Sequence, residues 1–115
     1  MNSEKAEYLA STYPLLYSQG IYFECLDGWF DLINKLSRKL EDLIKLEPEP
    51  EIFFATQVKE KYATLRFYMS YQTQEMLTAI YEAEGESART CEVCGEPGKI
   101  NKGSWYQTLC EKHMR

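Results

Sequence analysis

The chain has 115 residues, 44% hydrophobic and 14% aromatic, with 13 basic against 18 acidic side chains and a net charge of −5. That length allows one small domain, and the apolar content excludes a disordered chain. The acidic balance weighs against sequence-independent nucleic-acid binding, which depends on neutralising phosphates.

No apolar run reaches the roughly 18 residues a membrane span needs. The opening MNSEKAEYLAS lacks the apolar centre of a secretory signal. A cytoplasmic protein that makes no membrane contact and keeps its thiols reduced is the expectation. Charge is uneven along the chain. Residues 1–88 carry eight basic against fifteen acidic side chains, and residues 89–115 carry five against three. The division falls where a core domain over 1–88 would give way to a metal-binding module over 89–115.

In chain order, residues 3–13 are expected to form a short helix with Ala6, Leu9, Ala10 and Tyr13 on one side, broken ahead of Pro14. Residues 15–20 read as a turn leading into Ile21, Tyr22 and Phe23. Asp27 has the chemistry of an N-cap, and a helix is predicted over 28–46. Trp29, Ile33, Leu36, Leu40 and Leu43 recur at helical spacing, and Phe30, Leu32 and Ile44 widen that stripe. Such a stripe is expected to pack against a core. Lys35, Arg38, Lys39, Glu41 and Asp42 fill the other face. Pro48 and Pro50 end the helix.

The next stretch alternates and is rich in β-branched and aromatic residues. It predicts a hairpin with strands over 52–58 and 63–70 and a turn at the charged break Lys59, Glu60 and Lys61. Ile52, Phe54 and Val58 would share one face, and Leu65, Phe67 and Met69 the matching face of the second strand. Gln57, Lys59, Arg66 and Tyr68 then line a polar sheet face, either merely solvated or a binding surface. Thr73 is placed to cap a third helix, with Met76, Leu77, Ile80, Tyr81 and Glu84 at helical spacing and Gly85 weakening its end.

The C-terminal stretch carries the metal chemistry. Cys91 and Cys94 enclose two residues, Cys110 and His113 enclose two more, and fifteen residues separate the pairs. Two intervening residues let one tight turn bring both ligand atoms to a single ion, as in zinc knuckles. Gly95 suits the positive φ that ends such a turn, and the span between the pairs suits a short β-hairpin. Four protein ligands leave no position for water or substrate, so one structural Zn²⁺ per chain is the expected cofactor. Disulfide use is the non-metal alternative. A deaminase-like catalytic site would want an upstream His-x-Glu, and His113 is the sole histidine. Trp105 is expected to pack across the module or to anchor an interface.

Catalytic constellations are otherwise lacking in the sequence. Cys25 lies between Glu24 and Asp27, whose charges oppose thiolate formation, and it reads as a small buried hydrophobe. There is no P-loop, dinucleotide glycine fingerprint or nucleophile elbow.

Three sequence elements carry a resemblance. They are residues 23–30, residues 57–62 with Leu65, Arg66, Phe67 and Tyr68, and Cys91-Glu92-Val93-Cys94-Gly95 with Thr108-Leu109-Cys110. In this order, from about residue 13 onward, the chain resembles a group of small, largely uncharacterised zinc proteins common in bacteriophage and prophage genomes. Where that pattern usually has glycines, this chain has Ala63 and Thr64. The resemblance implies a mobile-element setting and supplies no activity.

The fold expected is therefore α+β: two to three helices packed on a β-hairpin, closed by a C-terminal zinc ribbon or knuckle pair. The expected function is non-catalytic binding to a host or phage protein, an inhibitor of a host antiphage system being one instance. The alternatives are a small enzyme with its site away from the zinc, and a zinc-dependent nucleic-acid-binding regulator. The second would place Arg89, Lys99, Lys102, Lys112 and Arg115 on phosphates.

Overall fold

The computed structural model describes residues 1–103 and 105–114. Three helices, α1 (Ser3–Thr12), α2 (Phe30–Lys45) and α3 (Gln74–Ser87), accompany a sheet ordered β1 (Phe23–Glu24), β2 (Ala55–Lys61), β3 (Thr64–Met69). A separate hairpin, β4 (Lys99–Lys102) with β5 (Tyr106–Leu109), belongs to the C-terminal Cys/His cluster. The class is α+β. Among the described residues no helix is long and apolar enough to cross a membrane.

The long amphipathic stripe does what its spacing implies. Leu32, Ile33, Leu36, Leu40 and Ile44 of α2 are all buried, and Trp29 just ahead of the helix is fully enclosed. Its entry differs from expectation. A 3-10 turn, Asp27–Trp29, leads into the helix, and Asp27 makes no capping hydrogen bond. The Asp27 carboxylate instead accepts from the backbone N–H of Asn2 at 2.7 Å and from its Nδ2 at 3.0 Å. The Asn2 side-chain oxygen in turn caps α1 by accepting from the Lys5 N–H at 2.8 Å. The residue read as a helix cap thus joins two elements.

Glu41 also departs from its expected solvent face. It is 3% exposed, and its carboxylate accepts from the backbone N–H groups of Leu15, at 3.2 Å, and Leu16, at 2.9 Å. These donors lie in the non-helical turn after α1, where no ladder can satisfy them. Glu41→Ala is expected to lower stability by about 2 kcal/mol, because it leaves one buried and one half-buried donor without an acceptor. Urea denaturation of the two proteins measures this.

The hairpin forms with its turn moved. Lys59, Glu60 and Lys61 continue β2, and the chain reverses at Tyr62 and Ala63, with φ of 51° and 77°. That two-residue left-handed reversal matches strand twist, and the Glu60 carboxylate supports it by accepting from the Ala63 N–H at 2.9 Å. A register irregularity between Ala55 and Gln57 changes which β2 residues face inward. Ala55 and Val58 are fully buried, Phe54 is half-buried, and Ile52 sits in a 3-10 turn, Pro50–Ile52, ahead of the strand. On β3, Leu65 and Phe67 are buried as expected, with Met69 half-buried. The third strand, β1, adds parallel to β2 through Phe23 opposite Val58 and Glu24 opposite Lys59.

Thr73 caps α3, accepting from the Met76 N–H at 3.3 Å. The inward face of α3 carries Met76, Ile80, Ala83 and Ser87, while Tyr81 is exposed. The last turns of this helix satisfy the outer edge of β3. Ser87 Oγ accepts from the Leu65 N–H at 2.8 Å, and the Glu84 carboxylate from the Phe67 N–H at 3.0 Å. Side chains thereby close an edge that would otherwise recruit another strand.

Candidate metal centre

Local hydrogen bonds shape the first ligand pair. The Gly95 N–H donates to the Cys91 carbonyl at 2.9 Å and the Cys91 N–H to the Glu96 carbonyl at 2.8 Å, with Gly95 at φ +85°. The second pair arrives as the sequence suggested, on a β-hairpin whose register sets Lys99 opposite Leu109 and Lys102 opposite Tyr106. A 3-10 turn, Glu111–His113, then folds His113 back toward Cys110.

The ligand atoms of Cys91, Cys94, Cys110 and His113 all lie within 4.8 Å of one another. Cys94 Sγ is 3.6 Å from Cys110 Sγ, and His113 Nδ1 is 3.7 Å from Cys91 Sγ and 3.2 Å from Cys110 Sγ. Ligands about 2.1–2.3 Å from a tetrahedrally coordinated ion stand roughly 3.5–3.8 Å apart, and separations near that spacing make the four residues a candidate site for one metal ion. All four cysteines are free thiols. Cys91 and Cys110 are buried, whereas Cys94 faces solvent. Burial resists ionisation of Cys110, but hydrogen bonds from the His113 ring and backbone outweigh it and hold this thiol at about 6, below the ordinary 9.0. A thiol so depressed is disposed to act as a thiolate ligand.

The cluster does not stand apart from the body. The Gly28 N–H donates to the Glu92 carbonyl at 2.7 Å, Trp29 Nε1 to the Thr90 carbonyl at 2.9 Å, and Thr108 Oγ1 to the Ala63 carbonyl at 2.7 Å. Glu92 is 4% exposed, and its carboxylate accepts from the Leu26 N–H at 3.1 Å and from Gln107 Nε2 at 3.4 Å. Desolvation raises its pKa. A β-carbon at Gly28 would stand 2.2 Å from the Cys91 carbonyl oxygen and 2.5 Å from that of Glu92. Sequence reasoning passed over Gly28 and Glu92. A glycine beside the first turn of a helix, where it lowers helix propensity, was the one available signal.

Of the two expectations for Trp105, packing across the module is not met. It is 62% exposed, and the apolar core of the cluster is formed by Cys91, Leu109 and Cys110. Arg89, Lys99, Lys102 and Lys112 are exposed. Arg115 lies outside the described residues.

The other expected surface residues do meet. On the three-stranded sheet Gln57 stands opposite Tyr68 and Lys59 opposite Arg66. Gln57, Lys59 and Arg66 are half-buried and Tyr68 is 43% exposed. A groove of about 470 Å³ lies elsewhere, between α2 and α3, floored by Leu32, Leu36, Ala79 and Ala83. None of the four sheet residues lines it.

Cys25 is 6% exposed within the main core. Burial above all, with the carboxylates of Glu92 and Asp27 nearby, pushes its thiol up to about 12 from 9.0. The unfolded chain therefore ionises this group well before the folded chain does. Its contribution to stability is complete below pH 9 and declines as pH rises toward 12. Alkaline unfolding of Cys25→Ala is expected to lose that part of the decline, read by circular dichroism against pH in guanidinium.

Comparisons with protein-family models, with curated proteins and with solved structures found no match to this chain.

Proposed function

We propose that Cys91, Cys94, Cys110 and His113 hold one structural Zn²⁺ in a zinc-ribbon or knuckle module. The chain, in this reading, is a non-catalytic protein that binds and modulates another protein in the cytoplasm. The phage or prophage setting follows from the sequence resemblance, and inhibition of a host antiphage system is one instance of such a role. The observation that carries the reading is the closed ligand set: a metal with four protein ligands keeps no position for water or substrate. Zinc is favoured by three sulfur donors and one imidazole within 4.8 Å of one another, a donor set that suits a borderline-soft ion. Metal binding then supplies folding energy that a small tail with a core of Cys91, Leu109 and Cys110 lacks by itself.

The test is affinity capture of the zinc-loaded chain from host extract, followed by cross-linking and reconstitution from purified components. A reconstituted complex supports the proposal. An exchangeable water on the metal, or turnover of a substrate dependent on it, would sink it.

A further inference from the structure

On the reading that this chain binds another protein, we propose that the open face of the β1–β2–β3 sheet is the docking surface and that it takes an acidic polypeptide segment of the partner. The net charge of −5 conceals a local reversal. Register places Gln57, Lys59 and Lys61 of β2 on one face with Tyr68, Arg66 and Thr64 of β3, and Glu24 of β1 alongside Lys59. That face therefore carries three cations and one carboxylate.

Two features of the face carry a cost in stability. Lys59 and Arg66 stand directly opposite each other, a like-charge cross-strand pair that is unfavourable. Arg66 donates to Thr64 Oγ1 and, at 3.3 Å, to the Leu65 carbonyl. Among the described residues the ion pair is Lys35 with Glu86, and none of Lys59, Lys61 or Arg66 joins one. An anionic partner group between Lys59 and Arg66 turns the repulsion into attraction. The second feature is Tyr62, at the turn end of the same hairpin. It is 72% exposed and held at φ 51°, where asparagine or glycine fits better. A bulky exposed side chain kept in a disfavoured backbone conformation points to a role outside folding. Lys61 Nζ lies 5.9 Å from the centre of its ring, so the aromatic and the charge form one contact.

Tyrosine and arginine are the types that anchor protein interfaces, and Tyr62, Arg66 and Tyr68 supply them here. A nucleic acid fits less well. Nucleic-acid affinity is built from many phosphate contacts, and a surplus of two cations on this face supplies few of them.

The test uses the zinc-loaded full chain and two labelled probes, poly-L-glutamate and a dT20 oligonucleotide, followed by fluorescence anisotropy at 20 and 150 mM salt. Poly-L-glutamate is expected to bind at low salt. Lys59→Ala with Arg66→Ala should weaken it at least tenfold, while Lys99→Ala with Lys102→Ala on β4 should leave it unchanged. Tyr62→Asn should raise the Tm yet weaken binding several-fold, a pairing that a purely structural tyrosine would not give. Absence of poly-L-glutamate binding, indifference to the sheet substitutions, or tighter binding of dT20 through the same residues would each overturn the proposal. A reconstituted complex whose cross-links avoid β2 and β3 would overturn this surface and leave the binding-protein reading intact.

Discussion

Cys94→Ser is expected to abolish cooperative folding of residues 88–115 and to drop metal content from one zinc per chain to near none. The tail buries too little to stand alone: its apolar cluster is Cys91, Leu109 and Cys110, and two of those three are themselves ligands. Structural zinc contributes on the order of 10 kcal/mol of apparent folding energy at neutral pH, far beyond what such a cluster supplies. Cys94 is the solvent-facing ligand, so its substitution removes a donor without opening a large cavity. The rest of the chain keeps its own core, built on Trp29, Leu40, Val58 and Met76. It should remain folded with a lowered Tm, because the hydrogen bonds from Gly28 and Trp29 lose their ordered acceptors. Elemental analysis and amide hydrogen exchange measure the two halves separately. A native protein that is fully folded and free of metal would refute the metal reading altogether.

Gly28→Ala should be damaging by a different route, costing about 3 kcal/mol while zinc is retained. The added methyl would meet the backbone of Cys91 and Glu92 at 2.2–2.5 Å, and backbone cannot rotate aside as a side chain can. Overpacking of this kind usually costs about 1–3 kcal/mol, and contact with backbone on two successive residues puts this site at the upper end. Undocking the cluster would also break the bond from Trp29 Nε1 to the Thr90 carbonyl. The buried indole then meets water, and its fluorescence shifts to the red. Denaturant titration with parallel metal analysis distinguishes this outcome from ligand loss. A variant within 0.5 kcal/mol of the parent would mean that the cluster moves freely against the body. Gly95 belongs to the same seam, since a β-carbon there would approach the Gly28 carbonyl oxygen at 3.1 Å.

Misplaced features share a cause. Periodicity located α2 and its stripe, but it could not tell that Glu41 turns inward, because the donors it satisfies lie twenty-five or more residues away. The charged run at Lys59, Glu60 and Lys61 resembled a turn by composition. The chain reverses directly after that run, at Tyr62 and Ala63, where Glu60 accepts from the Ala63 N–H and the Ala63 carbonyl accepts from Thr108. Tyr81 matched helical spacing and points outward, since small Ala83 rather than tyrosine meets the body on that turn. Trp105 had the composition of a core residue, and its surroundings left it exposed.

The primary structure by itself determined the four candidate ligands, the amphipathic second helix, the cap on the third and the inward set on β3. Each depends on spacing within a few residues, where backbone geometry alone dictates which side chains share a turn or a face. Tertiary structure decided how the cluster docks through Gly28 and Glu92, how Ser87 and Glu84 close the sheet edge, and which charges share the open sheet face. Those outcomes rest on contacts between residues remote in the chain, and local pattern carries no trace of the neighbour that packing brings.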